Sequence, residues 1–133
     1  MKKHRIIWVL IILAITLSAC EFNKLKFGEV RMMYGTNEAG RITYDITTFT
    51  GTERGEFHAE IGDVLLFDYA VDLVKGVLFI EWQDPQGEVI WQKMLDGSDQ
   101  DEVEFEILQP GIYQVVIKGE GSGGRFDVSW GEK

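Results

Sequence analysis

Hydrophobic and polar residues alternate with a period of two over much of the chain. The clearest stretch is EVEFEIL, in which Val103, Phe105 and Ile107 share one face and the glutamates between them share the other. RITYDITTF and GEFHAEIGD follow the same pattern. Such alternation is typical of β-strands with one buried face. No helical periodicity of useful length competes with it, so we expect an all-β domain.

Turn signals separate the predicted strands. QDPQGE, residues 83–88, predicts a hairpin because Asp opens the turn, Pro takes its second position and Gly its end. LQPGIY predicts another turn, and GEGSGG a flexible loop before the last strand, RFDVSW. VLLFDYAV and GVLFIEW are apolar on both faces and predict inner strands covered on both sides, or strands with one covered face and one exposed apolar face. Eight or nine strands of 5–9 residues suit an antiparallel, jelly-roll-like β-sandwich.

The N-terminus has a different pattern, a basic head followed by an apolar run of 12 residues, 6–17. A spanning helix needs about 20 apolar residues, whereas this length suits an export signal. Leu17, Ser18, Ala19 and Cys20 resemble the lipobox of bacterial lipoprotein signals. The resemblance implies a diacylglycerol on the Cys20 thiol, cleavage between Ala19 and Cys20, and usually acylation, typically with palmitate, of the new amino terminus. The alternatives are an uncleaved membrane helix and a plain secretory signal.

These features predict three segments: a lipoprotein signal peptide (1–19), the lipidated Cys20 with a short tether (20–26), and a β-sandwich domain (27–133). We expect attachment to the bacterial cell membrane on the extracytoplasmic side. Without residues 1–19 the chain has 10 basic and 22 acidic residues, a formal charge of −12. Such a charge argues against nucleic acid or anionic lipid as a partner bound through charge.

Residues 61–130 resemble two patterns of small secreted sandwiches. One is the bacterial pre-peptidase C-terminal domain, with its Asp-Pro-x-Gly turn, Pro-Gly-x-Tyr strand and glycine loop. The other is the GOLD domain, whose Y-x-V, D-P-x-G and G-x-Y motifs correspond to residues 69–71, 84–87 and 111–113. The chain departs from many GOLD domains in lacking their cysteine pair, and we expect it to depart from the pre-peptidase class in standing alone, without an attached protease. Because the shared motifs are turns and core positions, the resemblance implies a fold and no chemistry.

Candidate catalytic residues are few, and we predict no enzymatic activity. His58 is the only histidine after the signal and lies on a polar face beside Glu56 and Glu60. Ser122 lacks the glycine two positions earlier that a nucleophile elbow requires. A small hydrolase would need a concave site that joins His58 to a serine or a carboxylate.

Metal binding offers one candidate, since carboxylates are the oxygen ligands that Ca²⁺ takes. The stretch DGSDQDE supplies Asp99, Asp101 and Glu102 for a structural calcium ion, with a solvated turn as the alternative. Zinc is disfavoured because no His and Cys cluster remains. We expect no cofactor besides the covalent lipid.

Trp82 and Trp91 flank the predicted hairpin and are the candidate ligand-binding residues. Exposed rings of this kind stack on sugars, whereas buried ones fill a core. The sequence therefore predicts a non-enzymatic binding or scaffolding domain of the cell envelope, with an envelope protein or a glycan as partner. A carbohydrate-binding module, with calcium as a structural ion, is the alternative.

Overall fold

Six antiparallel strands make up most of the computed structural model, which describes residues 29–133. The predicted signal peptide (1–19), Cys20 and the whole tether (20–26) lie outside the described residues, as do residues 27 and 28 of the predicted domain. No helix among the described residues could cross a bilayer. The strands are β1 (Val30–Glu38), β2 (Arg41–Ala59), β3 (Val64–Gln83), β4 (Val89–Leu95), β5 (Ser98–Glu106) and β6 (Gly111–Glu132).

The three long strands β2, β3 and β6 each bend near the middle and take part in two sheet layers. The bends coincide with register shifts, between residues 46 and 51 in β2 and between residues 73 and 77 in β3. Leaf A consists, in this order, of β1, the first half of β2 (41–46), the second half of β6 (124–132), the first half of β3 (64–73) and β5. Leaf B consists, in this order, of the second half of β2 (51–59), the first half of β6 (111–120), the second half of β3 (77–83) and β4.

Glycines make the bends of β3 and β6 sterically allowed. Gly76 has φ +72° and Gly124 has φ +134°, values that L side chains rarely adopt. A Cβ atom on Gly76 would lie 2.3 Å from the carbonyl oxygen of Gly121, and one on Gly124 would lie 2.1 Å from that of Asp72. Neighbouring strands therefore approach each other at the bend more closely than a side chain permits.

The two leaves pack face to face through aromatic side chains. The ring centroid of Trp82 in leaf B lies 5.2 Å from that of Phe67 and 4.4 Å from that of Phe105, both in leaf A. Phe57 of leaf B lies 6.2 Å from Trp130 of leaf A. A fully buried side chain of this size contributes about 1.5–3 kcal/mol to folding. The prediction of an all-β antiparallel sandwich is confirmed.

Polar contacts close the side of the sandwich between β1 and leaf B. The carboxylate of Glu53 points inward, with only 9% of the residue exposed. It forms an ion pair with Arg31 and accepts a hydrogen bond of 3.0 Å from Asn37 Nδ2. Because a buried charge is costly unless it is paired, these two β1 side chains tie the leaves together at this side.

Several predicted element boundaries are wrong. VLLFDYAV and GVLFIEW belong to one strand, β3, and GEGSGG forms the bend of β6 in place of a loop. Residues 29–133 form six strands, although the nine straight segments of these strands match the predicted eight or nine. The hairpin at residues 83–88 is confirmed, since Asp84 Oδ1 accepts hydrogen bonds of 2.9 Å from the backbone N–H groups of Gln86 and Glu88.

Candidate functional site

The candidate ligand-binding tryptophans pack against the core. Trp82 and Trp91 lie directly opposite each other in the β3–β4 register, as their positions about the hairpin predicted. Trp82 is fully buried, so its prediction as a stacking platform for a ligand is wrong. Trp91 is half-buried, and its ring centroid lies 5.4 Å from that of Phe67. The alternative interpretation, a pair of tryptophans that fills the space between two sheets, describes this arrangement.

The three candidate calcium ligands lie within β5, so their alternative placement in a solvated turn is wrong. Period-two alternation sends Asp99 and Asp101 to one face of the strand and Glu102 to the other. Asp99 accepts a hydrogen bond of 3.0 Å from the Tyr69 hydroxyl, and this bond lowers the pKa of its carboxyl group. In residues 29–133 no three His, Cys, Asp or Glu side chains are placed to hold a metal ion together.

His58 and Ser122 lie in different parts of the described structure, in leaf B and at the bend of β6. His58 lies on the outer face of leaf B, where its Nδ1 is 3.6 Å from Glu60 Oε1 and both side chains are about two-thirds exposed. Ser122 is fully buried at the bend of β6 and donates a hydrogen bond of 2.5 Å to the Val77 carbonyl. Ser122 therefore contributes to the packing of the bend and is not exposed as a nucleophile.

The outer face of leaf A carries two adjoining cavities of about 610 and 500 Å³, which we call the leaf A groove. Ala70, Gln100 and Asp127 line both cavities. Ala70 points outward from the central part of β3, and its methyl group leaves a gap between the larger side chains around it. Asp68 and Asp72 flank Ala70 on the same face, their Cα atoms separated by roughly 13 Å at 3.2–3.4 Å per residue.

The strand register arranges the side chains of the leaf A groove in three rows across β5, β3, β6 and β2. Eleven of the twelve are polar, and Ala70 is the exception. The rows are Glu102, Asp68, Ser129 and Arg41; Gln100, Ala70, Asp127 and Thr43; and Ser98, Asp72, Arg125 and Asp45. The groove therefore presents closely spaced hydrogen-bonding groups over an area four strands wide.

Contacts among these side chains hold parts of the groove in fixed positions. Both carboxylate oxygens of Asp127 accept hydrogen bonds from Arg41, with distances of 2.9 Å from Nε and 2.5 Å from Nη2, and the Thr43 hydroxyl donates a third at 2.9 Å. The bond from Arg41 lowers the pKa of the Asp127 carboxyl group. Because bidentate pairs restrict both partners, the middle of the groove is preorganised.

Charge is unevenly distributed around the groove. Two basic side chains and four acidic ones on the groove face line the two cavities, the acidic ones being Asp68, Asp72, Glu102 and Asp127. Arg41 is already paired with Asp127. Arg125 Nε lies 3.8 Å from Asp45 Oδ1 in the third row. An excess of carboxylates of this kind repels anions, so the groove suits a neutral or cationic ligand.

Sequence reasoning did not find the leaf A groove. One signal was available: in DYAVD the residues Asp68, Ala70 and Asp72 share one face, and a small residue between two acids indicates a surface depression. The other walls come from β5, from β6 and, through Arg41, from β2, all more than 25 residues away from Ala70 along the chain. Only the register of the folded sheet brings them together.

No protein-family model and no curated protein match the chain. Among solved structures it is similar to a CBM4 structure, with 10% identity over 80% of this chain and 81% of that one and a TM-score of 0.48. It is also similar to the pre-peptidase C-terminal domain of collagenase from Bacillus anthracis, with 16% identity, coverage of 74% and 99%, and a TM-score of 0.48. TmCBM61 in complex with β-1,4-galactotriose has 12% identity, coverage of 71% and 66%, and a TM-score of 0.44. Identities this low bear on fold alone, so the groove has to be interpreted from its own residues.

Proposed function

We propose that this chain is a lipoprotein of the bacterial cell envelope whose β-sandwich is a non-enzymatic binding domain, and that the leaf A groove is its binding surface. The observation that carries the proposal is the three-row array of polar side chains around Ala70. The lipobox resemblance at residues 17–20 supplies the second part, an anchor on Cys20 at the extracytoplasmic side of the membrane.

A glycan of the envelope is the ligand class that the array favours. Carboxylate, amide, guanidinium and hydroxyl groups pair with sugar hydroxyls, which both donate and accept hydrogen bonds. About five such bonds at about 1 kcal/mol each give about 5 kcal/mol, which corresponds to a dissociation constant of roughly 0.2 mM. The groove has no exposed aromatic platform, since Tyr69 beneath it is only 3% exposed. We therefore expect weak binding that depends on polar contacts and strengthens on a polymer with many sites.

The excess of carboxylates favours a second candidate, a basic surface on another envelope protein. Four acidic side chains in one groove, against two basic ones, would steer a positively charged partner and make its association sensitive to salt. A neutral glycan would bind with little dependence on salt. The ionic strength of the assay therefore separates the two candidates.

The test of the groove is co-sedimentation of the purified protein with insoluble peptidoglycan sacculi, at low and high salt. Ala70→Trp fills the centre of the groove, and because Ala70 is exposed the substitution leaves the core unchanged. Gln92→Trp is the matched control, since Gln92 is exposed on the outer face of leaf B. We expect Ala70→Trp to reduce the bound fraction at least tenfold and Gln92→Trp to leave it unchanged.

Two outcomes would contradict the glycan assignment. Failure of the unmodified protein to sediment with sacculi excludes this glycan, and equal losses in both variants would place binding outside the groove. Circular dichroism of each variant checks that the sandwich is intact. The anchor is tested separately, by the mass of the membrane-extracted protein.

A further inference from the structure

β1 is an edge strand with an unusually apolar exposed face. It pairs only with β2, so its other edge has no strand beside it in the described chain. Val30, Met32 and Tyr34 point outward and are 43%, 59% and 85% exposed. Open edges offer unpaired backbone groups to another strand, and proteins usually protect them with charges or proline. β1 has two charged residues among nine, Arg31 and Glu38, and no proline.

The hairpin fixes which backbone groups of β1 face the open edge. Glu38 pairs with Arg41 across the two-residue turn at 39–40. In such a hairpin the two residues beside the turn exchange both backbone hydrogen bonds. Along the strands, hydrogen-bonded pairs then alternate with non-hydrogen-bonded pairs. The N–H and C=O groups of the even-numbered residues of β1 therefore face β2, and those of residues 31, 33, 35 and 37 face the open edge.

We propose that β1 pairs antiparallel with β1 of a second copy of this chain, about a two-fold axis at Tyr34. Tyr34 is the middle residue of the nine-residue strand, so this register matches every position. Residue 31 then pairs with 37 and 33 with 35, giving about eight backbone hydrogen bonds. Tyr34 faces Tyr34 of the second copy in a non-hydrogen-bonded pair, where side chains approach most closely.

The side chains are compatible with this register. Val30 lies opposite Glu38 and Met32 opposite Thr36, so no like charges face each other and the exposed apolar side chains become covered. The guanidinium of Arg31 is turned away from the edge, because it pairs with Glu53 and its Nη2 donates to the Thr52 carbonyl at 2.6 Å. Paired aromatic rings add about 0.5–1.5 kcal/mol.

The edge strands β5 and β4 are less suited to pairing with themselves. Five of the nine residues of β5 are acidic, so two copies of β5 would repel each other. β4 has only seven residues, and Lys93 points toward the inner face, where its Nζ lies 3.4 Å from Asp99 Oδ2. An inward-pointing charge of this kind opposes edge pairing.

The chain that precedes β1 allows such a dimer on one membrane. The two copies of Val30 lie at opposite ends of the paired strands, roughly 27 Å apart at 3.4 Å per residue. Residues 20–28 extend up to about 30 Å, enough for both copies of Cys20 to reach one bilayer. This point rests on the proposed lipid anchor, which also raises the local concentration of the second copy. The pairing itself depends only on β1.

Cysteine cross-linking in membranes of cells that produce the full-length chain tests the register. In Tyr34→Cys the two thiols face each other across the axis, so mild oxidation is expected to give a homodimer linked through residue 34. Thr36→Cys is the matched control on the same face of β1. Its two thiols are about 13 Å apart along the strand in this register, beyond the Cα separation of 4.4–6.8 Å that a disulfide spans. The double variant Met32→Cys with Thr36→Cys is expected to cross-link again.

Mass spectrometry of the linked peptides excludes disulfides through Cys20. Adding Tyr34→Lys to the double variant places two like charges at the axis and is expected to lower the cross-linked fraction at least tenfold. Equal cross-linking of Tyr34→Cys and Thr36→Cys would overturn the proposal, as would a monomeric Tyr34→Cys or a disulfide to a different protein. Metabolic palmitate labelling of the same samples reports the anchor independently, so its failure is distinguishable from failure of the pairing.

Discussion

Replacing Gly124 with alanine tests whether the sandwich depends on the bend of β6. The new Cβ atom would lie 2.1 Å from the Asp72 carbonyl oxygen at a φ of +134°. A backbone held in such a sparsely populated region costs about 1–3 kcal/mol, and relieving the overlap costs about 1–3 kcal/mol more. The sum, roughly 2–6 kcal/mol, is a large part of the 5–15 kcal/mol that stabilises a typical domain.

The assay is thermal and urea-induced unfolding followed by circular dichroism. At about 4–8 °C per kcal/mol, Gly124→Ala is expected to lower Tm by at least about 8 °C. Gly131→Ala is the matched control in the same strand, because a Cβ atom there meets nothing within 4 Å and its φ is unstrained. We expect it to change stability by less than about 0.5 kcal/mol. If Gly124→Ala and Gly131→Ala have the same Tm and the same free energy of unfolding, the bend does not require glycine and the two-leaf description of the sandwich is wrong.

Three further predictions concern the core and the polar pairs. Trp82→Ala removes a fully buried ring and is expected to cost about 3–5 kcal/mol in urea titrations, whereas Gln92→Ala on the exposed face of leaf B costs almost nothing. Arg41→Ala should raise the pKa of Asp127, measured by NMR of the carboxyl carbon. Because the folded-state pKa lies below the unfolded value of about 3.9, this pair stabilises the fold above that pH, and its contribution is lost as the pH falls through the folded-state pKa. Burial and then the hydrogen bond to Asp99 raise the pKa of Tyr69 to about 12. Asp99→Asn should lower this pKa, which is measured from the absorbance of tyrosinate as the pH is raised. The neutral phenol stabilises the fold below about pH 10, and this contribution is lost as the pH rises through the folded-state value.

A specific result would contradict each of these three predictions. If Trp82→Ala is as stable as the parent protein, Trp82 does not pack in the core. An unchanged pKa of Asp127 in Arg41→Ala would show that the bidentate pair does not form in solution. A Tyr69 that titrates in Asp99→Asn as it does in the parent would show that Asp99 has no effect on the phenol.

The fold class was predictable because period-two alternation marks several of the straight segments. The EVEFE part of EVEFEIL belongs to β5, which ends at Glu106, and has Val103 and Phe105 on its inner face, as its pattern indicates. The bends were not predictable, since clustered glycines give the same signal for a loop and for a strand that bends against a neighbour. GEGSGG was therefore predicted as a loop, although Gly124 and Ser122 form contacts of a continuous strand.

The candidate site was less predictable, because it depends on contacts between distant strands. The pairing of Trp82 with Trp91 followed from the hairpin, but which face became the core depended on leaf A packing over leaf B. Asp99 and Glu102 are neighbours in sequence that alternation separates onto opposite faces. Asp127 and Ala70 are 57 residues apart and meet only through the β3–β6 register.

The central claim, an anchored envelope binding domain, is tested most directly by the intact mass of the protein extracted from membranes of the producing bacterium. Clickable palmitate labelling of the native chain and of Cys20→Ser is measured in parallel. The account predicts a mass for residues 20–133 plus diacylglycerol and any acyl chain on the new amino terminus, with label on the native chain alone. An unlabelled protein that retains residues 1–19 would contradict it and would make the N-terminal segment a membrane anchor of a different kind.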